Sequence, residues 1–456
     1  MSFQNNYVLP VPGDARCKLA TGWLWLGVLS LLASGIFSVL LVLSRTPYSQ
    51  NFFPWIDFFH TALVVHVDLS VLVWFLAFAG VLWSLNSTSR FMAIGWLALL
   101  VAAAGTIVMA VSPFTGDGNP LMSNYIPVLQ HTLFLSGLVG FAAGIGLLLW
   151  RSMTAIPLVG QIMTGEGALR FGLNATTVSA VMALVAFIWS YVTIPDSYAG
   201  KAYYELLFWG GGHILQFTYT LLMLVGWLWL STASHVRLPI SPRVVLVLFA
   251  VGLFAAFLAP IIYYSYEVTS REHIILFTWL MQYGGSLATL PLSLAILYGL
   301  LTSDASPRDA RPQRASLVSS MVLFGFGGLI GFFIHGSDVT IPAHYHGSIV
   351  GVTLALMGIT YELLPRLGYS RPSLRLTSVQ PYLYGGGQLL HVTGLLWSGG
   401  YGVKRKVAGA EQGLEGIQQI AAMGIMGLGG LISIIGGFLF IYAVLSVLLR
   451  GRLDEQ

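Results

Sequence analysis

Ten histidines stand in a 456-residue chain that is otherwise poor in ionisable groups. Imidazole binds transition metals and carries protons. In an apolar chain it costs free energy unless it finds a partner. The densest pattern is Ala343-His344-Tyr345-His346-Gly347, directly after Pro342. On a helix of 3.6 residues per turn, positions two apart point about 200° apart, so His344 and His346 face opposite sides. They are poorly placed to share one metal and well placed to ligate two metals in separate pockets. A helix-capping or hydrogen-bonded pair is the other reading of the same spacing. Cys17 is the only cysteine, so this chain alone builds no disulfide, iron-sulfur cluster or thiolate copper centre. Any metal must be held by histidine, carboxylate or a cofactor.

The elements that position these groups are membrane helices. Of the residues 56% are hydrophobic and 8% charged, against roughly a quarter charged in a soluble domain. The charges sit in short clusters between apolar runs and not along amphipathic faces, which excludes a globular soluble enzyme. About 20 apolar residues cross a bilayer. Twelve segments qualify: 19–43, 56–85, 91–112, 126–150, 171–194, 203–231, 243–264, 273–301, 316–335, 343–365, 381–400 and 418–449. The first follows a polar stretch ending at Lys18 and has no small-residue cleavage site, so it reads as a retained helix and not a signal peptide.

An even count puts both termini on one side. With them inside, fifteen Lys and Arg fall in inner segments and six outside, namely Arg45, Lys201, Arg271, Lys404, Arg405 and Lys406, as the positive-inside rule requires. Topology thus accounts for the net charge of +4, and no basic patch for nucleic acid remains. The expected fold is an all-α integral membrane protein, one twelve-helix bundle over residues 1–456 with N- and C-termini inside. On this topology His60, His66, His131, His213, His273, His344 and His346 share the outer parts of even-numbered helices. The inner halves hold almost no ionisable residue apart from Glu362, while His235 lies in an inner loop and His391 is mid-helix.

Three segments give this order of histidines a family likeness. Val65-His66-Val67-Asp68-Leu69, continuing to Trp74, resembles the low-spin haem helix of bacterial nitric oxide reductases. Leu207-Phe208-Trp209-Gly210-Gly211-Gly212-His213 is similar to the aromatic-glycine-histidine segment that supplies the first ligand of a second metal, and the H-x-H pair follows in the tenth helix. Together they resemble the catalytic subunit of the haem-copper oxidase superfamily, nearest the nitric oxide reductase and C-type oxidase branch. The resemblance implies two haems, b-type by this branch. His66 and His346 would be the axial ligands of a low-spin haem that relays electrons. His344 would be the proximal ligand of a high-spin haem open to a small gas, with His213 on its distal side as a ligand of copper or non-haem iron. Lys404, Arg405 and Lys406 would face haem propionates. His60 is a rival to His66, and His131 and His273 read as hydrogen-bonded packing. The resemblance also implies a bacterial cytoplasmic membrane with the haem layer toward the periplasmic side. Partner subunits would carry a cytochrome c or copper electron-entry domain, since this chain has no C-x-x-C-H.

The sequence departs from that family at the second metal. The family's His-His pair falls on Ile261-Ile262 or, shifted by two, on Tyr263-Tyr264. Tyr263, Tyr264, Glu267 or His273 could join His213, and Tyr263, Tyr264 and Glu267 are the candidate catalytic side chains. Four residues after His213 the chain has Phe217, where relatives carry tyrosine or glutamate. Three functions stay open: a terminal reductase of nitric oxide or oxygen, an electron-transfer or gas-binding haem subunit without a dinuclear centre, and a haem-free transporter, whose polar path should continue inward. Proton pumping is not expected, because the inner half lacks carriers.

Overall fold

The computed structural model describes residues 6–48, 58–116, 118–159 and 163–453. Apolar runs become helices because a backbone in lipid must satisfy its own hydrogen bonds. In chain order these are α1 (Ala15–Arg45), α2 (Phe59–Val67), α3 (Trp74–Asn86), α4 (Met92–Val111), α5 (Thr132–Thr154), α6 (Gly165–Thr193), α7 (Gly200–Ala233) and α8 (Pro242–Ala256). There follow α9 (Ala259–Ser265), α10 (Arg271–Trp279), α11 (Ser286–Thr302), α12 (Arg311–Gly331), α13 (Thr340–Arg366), α14 (Leu374–Gly399) and α15 (Ile417–Leu448). A two-stranded antiparallel hairpin, β1 (Asn119–Leu121) with β2 (Val128–Gln130), precedes α5.

Among the described residues eleven helical runs are long and apolar enough to cross a membrane. The segment expected at 381–400 folds as α14, but its Gln380, Gln388 and His391 leave it less apolar than the rest. Three expected spans are interrupted. The second, whose residues 56 and 57 lie outside the described residues, runs α2 to α3 through a π-helical stretch at Asp68–Val73, directly after His66. The seventh divides into α8 and α9 just before Pro260, where a proline has no N–H for the preceding turn. The eighth passes from α10 to α11 through a π stretch at Leu280–Gly284.

The chain forms two compact units, residues 1–27 with 72–305 and residues 28–71 with 306–456. In the first, α4 lies along α5 and α6 along α7; in the second, α12 pairs with α13 and α14 with α15. Glycines let these backbones approach, as small residues do between membrane helices. A Cβ on Gly144 would stand 2.5 Å from the Ala102 nitrogen, and one on Gly394 the same distance from that of Met426. The buried share is 72% for the α2–α3 run, 94% for α7 and 83% for α13, against 33–50% for the other spans. His66, His213, His344 and His346 therefore all lie on the least exposed helices.

Candidate functional site

In the second unit two of the histidines, His66 and His344, are held in one tautomer by backbone carbonyls. His66 on α2 donates Nδ1–H to the Ser34 carbonyl at 3.1 Å, and the Ser34 hydroxyl lies 2.9 Å from the same nitrogen. His344 on α13 donates Nδ1–H to the Gly327 carbonyl of α12 at 2.7 Å. Gly331 makes room for the His344 ring, since a Cβ there would stand 3.0 Å from Nδ1 and Cε1. Each bond leaves Nε2 with its lone pair, the state in which histidine ligates a metal or haem iron. The donor set thus fits haem at both positions. His346, one step along α13, lies within electrostatic reach of His66, His391 and Arg45. Among the described residues it makes no hydrogen bond to protein, and the His391 ring sits edge-on to it at 4.9 Å.

His60 is committed elsewhere. Its Nε2–H donates to the Lys406 carbonyl at 3.0 Å, so this imidazole pins the 404–406 loop and does not present Nε2 to a metal. That loop is also held by an isolated bridge from Asp338 to Lys404 and by the Arg45 guanidinium donating to the Lys404 carbonyl at 3.3 Å. Lys404 is exposed, Lys406 is half-buried, and Arg405 lies within electrostatic reach of the Tyr345 hydroxyl.

In the first unit His213 is buried on α7 and donates Nδ1–H to the Trp209 carbonyl at 2.7 Å. Its Nε2 accepts a hydrogen bond from the Tyr125 hydroxyl at 2.8 Å. Tyr125 comes from the β1–β2 connection, where the Asn124 N–H donates to the Glu205 carboxylate at 3.3 Å. Burial, reinforced by the Glu205 charge, pushes the Tyr125 hydroxyl well above its usual pKa, so it keeps its proton as a donor. The three glycines before His213 each admit an aromatic ring: a Cβ would strike Tyr263 at Gly210, Phe187 at Gly211 and Tyr125 at Gly212.

Of the side chains expected to join His213, His273 comes within its electrostatic reach, and the others are committed elsewhere or exposed. Tyr263 is buried, but its hydroxyl donates to the Ala186 carbonyl at 3.0 Å and meets the Ser190 hydroxyl at 2.7 Å. Its ring packs against Trp189 and His273. Tyr264 is 87% exposed and Glu267 is exposed too, because the helical advance of about 100° per residue leaves one tyrosine of the pair facing inward. His273 is fully buried on α10, and Phe277 contacts both its ring and that of His213. His131 packs beside Gly116 and Gly118. Among the described residues no three His, Cys, Asp or Glu side chains are grouped to hold a metal ion.

Sequence reasoning missed Tyr125, which no motif marks, and undervalued Arg45 and His391. Arg45 closes α1 with its Nε buried and unpartnered, near Tyr345, His346 and His391. Its guanidinium had been counted only as an outer-loop charge.

Buried helices long and apolar enough to cross a membrane, carrying imidazoles whose Nδ1 is held by a carbonyl, make this a multi-pass membrane protein with a donor set that fits haem. Residues 18–439 match the family described as Cytochrome C and Quinol oxidase polypeptide I, and the chain belongs to that family, within the haem-copper oxidase superfamily. An uncharacterized protein of Rickettsia prowazekii (strain Madrid E) is 30% identical, the match covering 93% of this chain and 95% of that one. Another from Aquifex aeolicus (strain VF5) is 30% identical over 76% of this chain and 85% of its own. Cytochrome c oxidase subunit 1 of Thermus thermophilus is 24% identical over 96% of this chain and 86% of that one. The fold matches a heme-copper terminal oxidase solved by cryo-EM as a dimer, with a TM-score of 0.75, 15% identity and coverage of 95% of this chain and 84% of the other. The chain is therefore a membrane respiratory oxidase-like protein, of a family that binds haem and usually works with other subunits.

Proposed function

We propose that this chain is a twelve-span haem subunit, both termini inside, that takes electrons through a low-spin haem on His66 and His346 to a high-spin haem on His344. There it binds a small gas of the nitric oxide or oxygen kind, with no second metal at His213. Bound haem supplies one-electron transfer and an iron face for a diatomic ligand. The protein orients the axial imidazoles through the Ser34 and Gly327 carbonyls and surrounds them with membrane helices. The haems are b-type, and the electrons arrive from a partner subunit with a cytochrome c or copper domain on the outer side of a bacterial cytoplasmic membrane.

One observation carries the choice of a gas-binding subunit over a dinuclear reductase. The ligand nitrogen of His213 is taken by the Tyr125 hydroxyl at 2.8 Å, and Tyr263, Tyr264 and Glu267 do not gather around it. His273 lies within its electrostatic reach, but no third His, Cys, Asp or Glu joins them among the described residues, and two imidazoles are too few donors for a tight divalent site. Metal analysis and visible spectroscopy of the purified protein test this. The expected result is two haems b per chain, one binding carbon monoxide, with neither copper nor non-haem iron in stoichiometric amount. In H346A the low-spin spectrum disappears while carbon monoxide binding persists. A third metal bound one per chain restores the reductase reading, and a protein without haem sinks both.

A further inference from the structure

His391 has no role in the reading above, yet its placement is tightly specified. It lies in the middle of α14, where an imidazole is costly unless it is used. The close approach of α14 and α15 holds it there. A Cβ on Gly394 would stand 2.5 Å from the Met426 nitrogen, and one on Gly430 would stand 3.1 Å from His391 Nδ1. Its Nδ1–H donates to the Met426 carbonyl at 2.9 Å, which fixes the tautomer and leaves Nε2 as an acceptor. The neighbouring residues Val392, Leu395, Met423 and Met426 belong to an apolar cluster. The ring set against it is His346, 4.9 Å between centroids and inclined at 64°.

His66 and His344 each have a backbone carbonyl for Nδ1–H. His346 has none among the described residues. We infer that His391 is the missing acceptor, a positioning residue that receives the His346 Nδ1–H on its own Nε2 and so orients that ligand and raises its basicity. At 4.9 Å between centroids the two rings are close enough for a nitrogen of each to come within hydrogen-bond reach. A more basic axial imidazole favours the ferric state, so the Met426–His391–His346 chain holds the low-spin haem at a lower potential than an unassisted imidazole would. This inference rests on the reading of His346 as an axial ligand.

Redox titration and electron paramagnetic resonance of the full-length protein test it in H391L and H391Q. Both variants are expected to keep the wild-type haem content and a bis-imidazole low-spin signal. H391L shifts the low-spin midpoint upward by about tenfold in the reduction equilibrium, or about 59 mV for one electron; H391Q, whose amide oxygen accepts a hydrogen bond, recovers part of that shift. An unchanged midpoint in H391L overturns the inference. So does loss of the low-spin signal in H391L while H346L retains it, which makes His391 the ligand itself. If H391L does not assemble, the wild type decides, because a hydrogen-bonded Nδ1 proton on each axial imidazole is visible as an exchangeable hyperfine coupling. An unbonded proton on one of them refutes the assignment. Absence of any low-spin haem from the wild type instead removes the His66–His346 reading on which it stands.

Discussion

Arg45 ends α1 with a guanidinium Nε that is buried and unpartnered, while its terminal nitrogen makes one 3.3 Å bond to the Lys404 carbonyl. A buried cation is tolerated when an anion completes it, and Tyr345, His346 and His391 around it are neutral donors and acceptors. On the function proposed above, a haem carboxylate would supply the missing charge, and Arg45 would share with Arg405 the role that the family likeness gives to residues 404–406. R45L is expected to lower the midpoint of the low-spin haem, because removing a nearby positive charge disfavours the added electron, and R45K to stay near wild type. Potentiometric titration checks both, and an unchanged midpoint in R45L removes the assignment. At this scale the sequence exposed residue types better than partners. The pattern marked His66, His344 and His346 and ranked His60 below His66 as lying nearer the surface, but it held no sign that the His60 Nε2 is tied to Lys406. Tyr125 was invisible because its contact with His213 joins positions 88 apart.

Between helices, glycine placement decides where an imidazole can stand. Gly331 of α12 faces the His344 ring with no room for a Cβ, whereas Gly328, less than one turn earlier, has nothing within 4 Å. G331A is therefore expected to displace the His344 ring from the Gly327 carbonyl and cut carbon monoxide binding severalfold, leaving the low-spin spectrum intact. G328A should match wild type in both. Equal behaviour of the two variants would mean that the ring is positioned by something other than this packing. The same logic explains Gly210-Gly211-Gly212, legible in the sequence only as a family likeness: each glycine admits one aromatic side chain, Tyr263, Phe187 or Tyr125. Helices were legible because each is a long apolar run. The β1–β2 hairpin was not, since three-residue strands containing Asn119 and Pro120 carry no alternating pattern. Nor were the π stretches, whose extra residue per turn leaves composition unchanged.

Across the whole chain, sidedness follows from charge. With the termini inside, as proposed, fifteen basic residues fall in inner segments and six outside, the bias that the positive-inside preference requires. Glu362 is closed into a pair with Arg366 at 2.6 Å and receives the Gln313 amide at 3.1 Å, contacts that make it a structural anchor more than a proton carrier. Because Cys17 is the sole cysteine, sidedness can be read directly in a C17S background. Leu158, 95% exposed between α5 and α6, falls in an inner loop of the proposed topology, and the exposed Lys404 in an outer one. In intact spheroplasts a membrane-impermeant maleimide is expected to label K404C and to spare L158C until the membrane is broken. The reverse pattern would invert every helix, place the imidazole layer on the inner face and require the electron donor to be an inner-side protein.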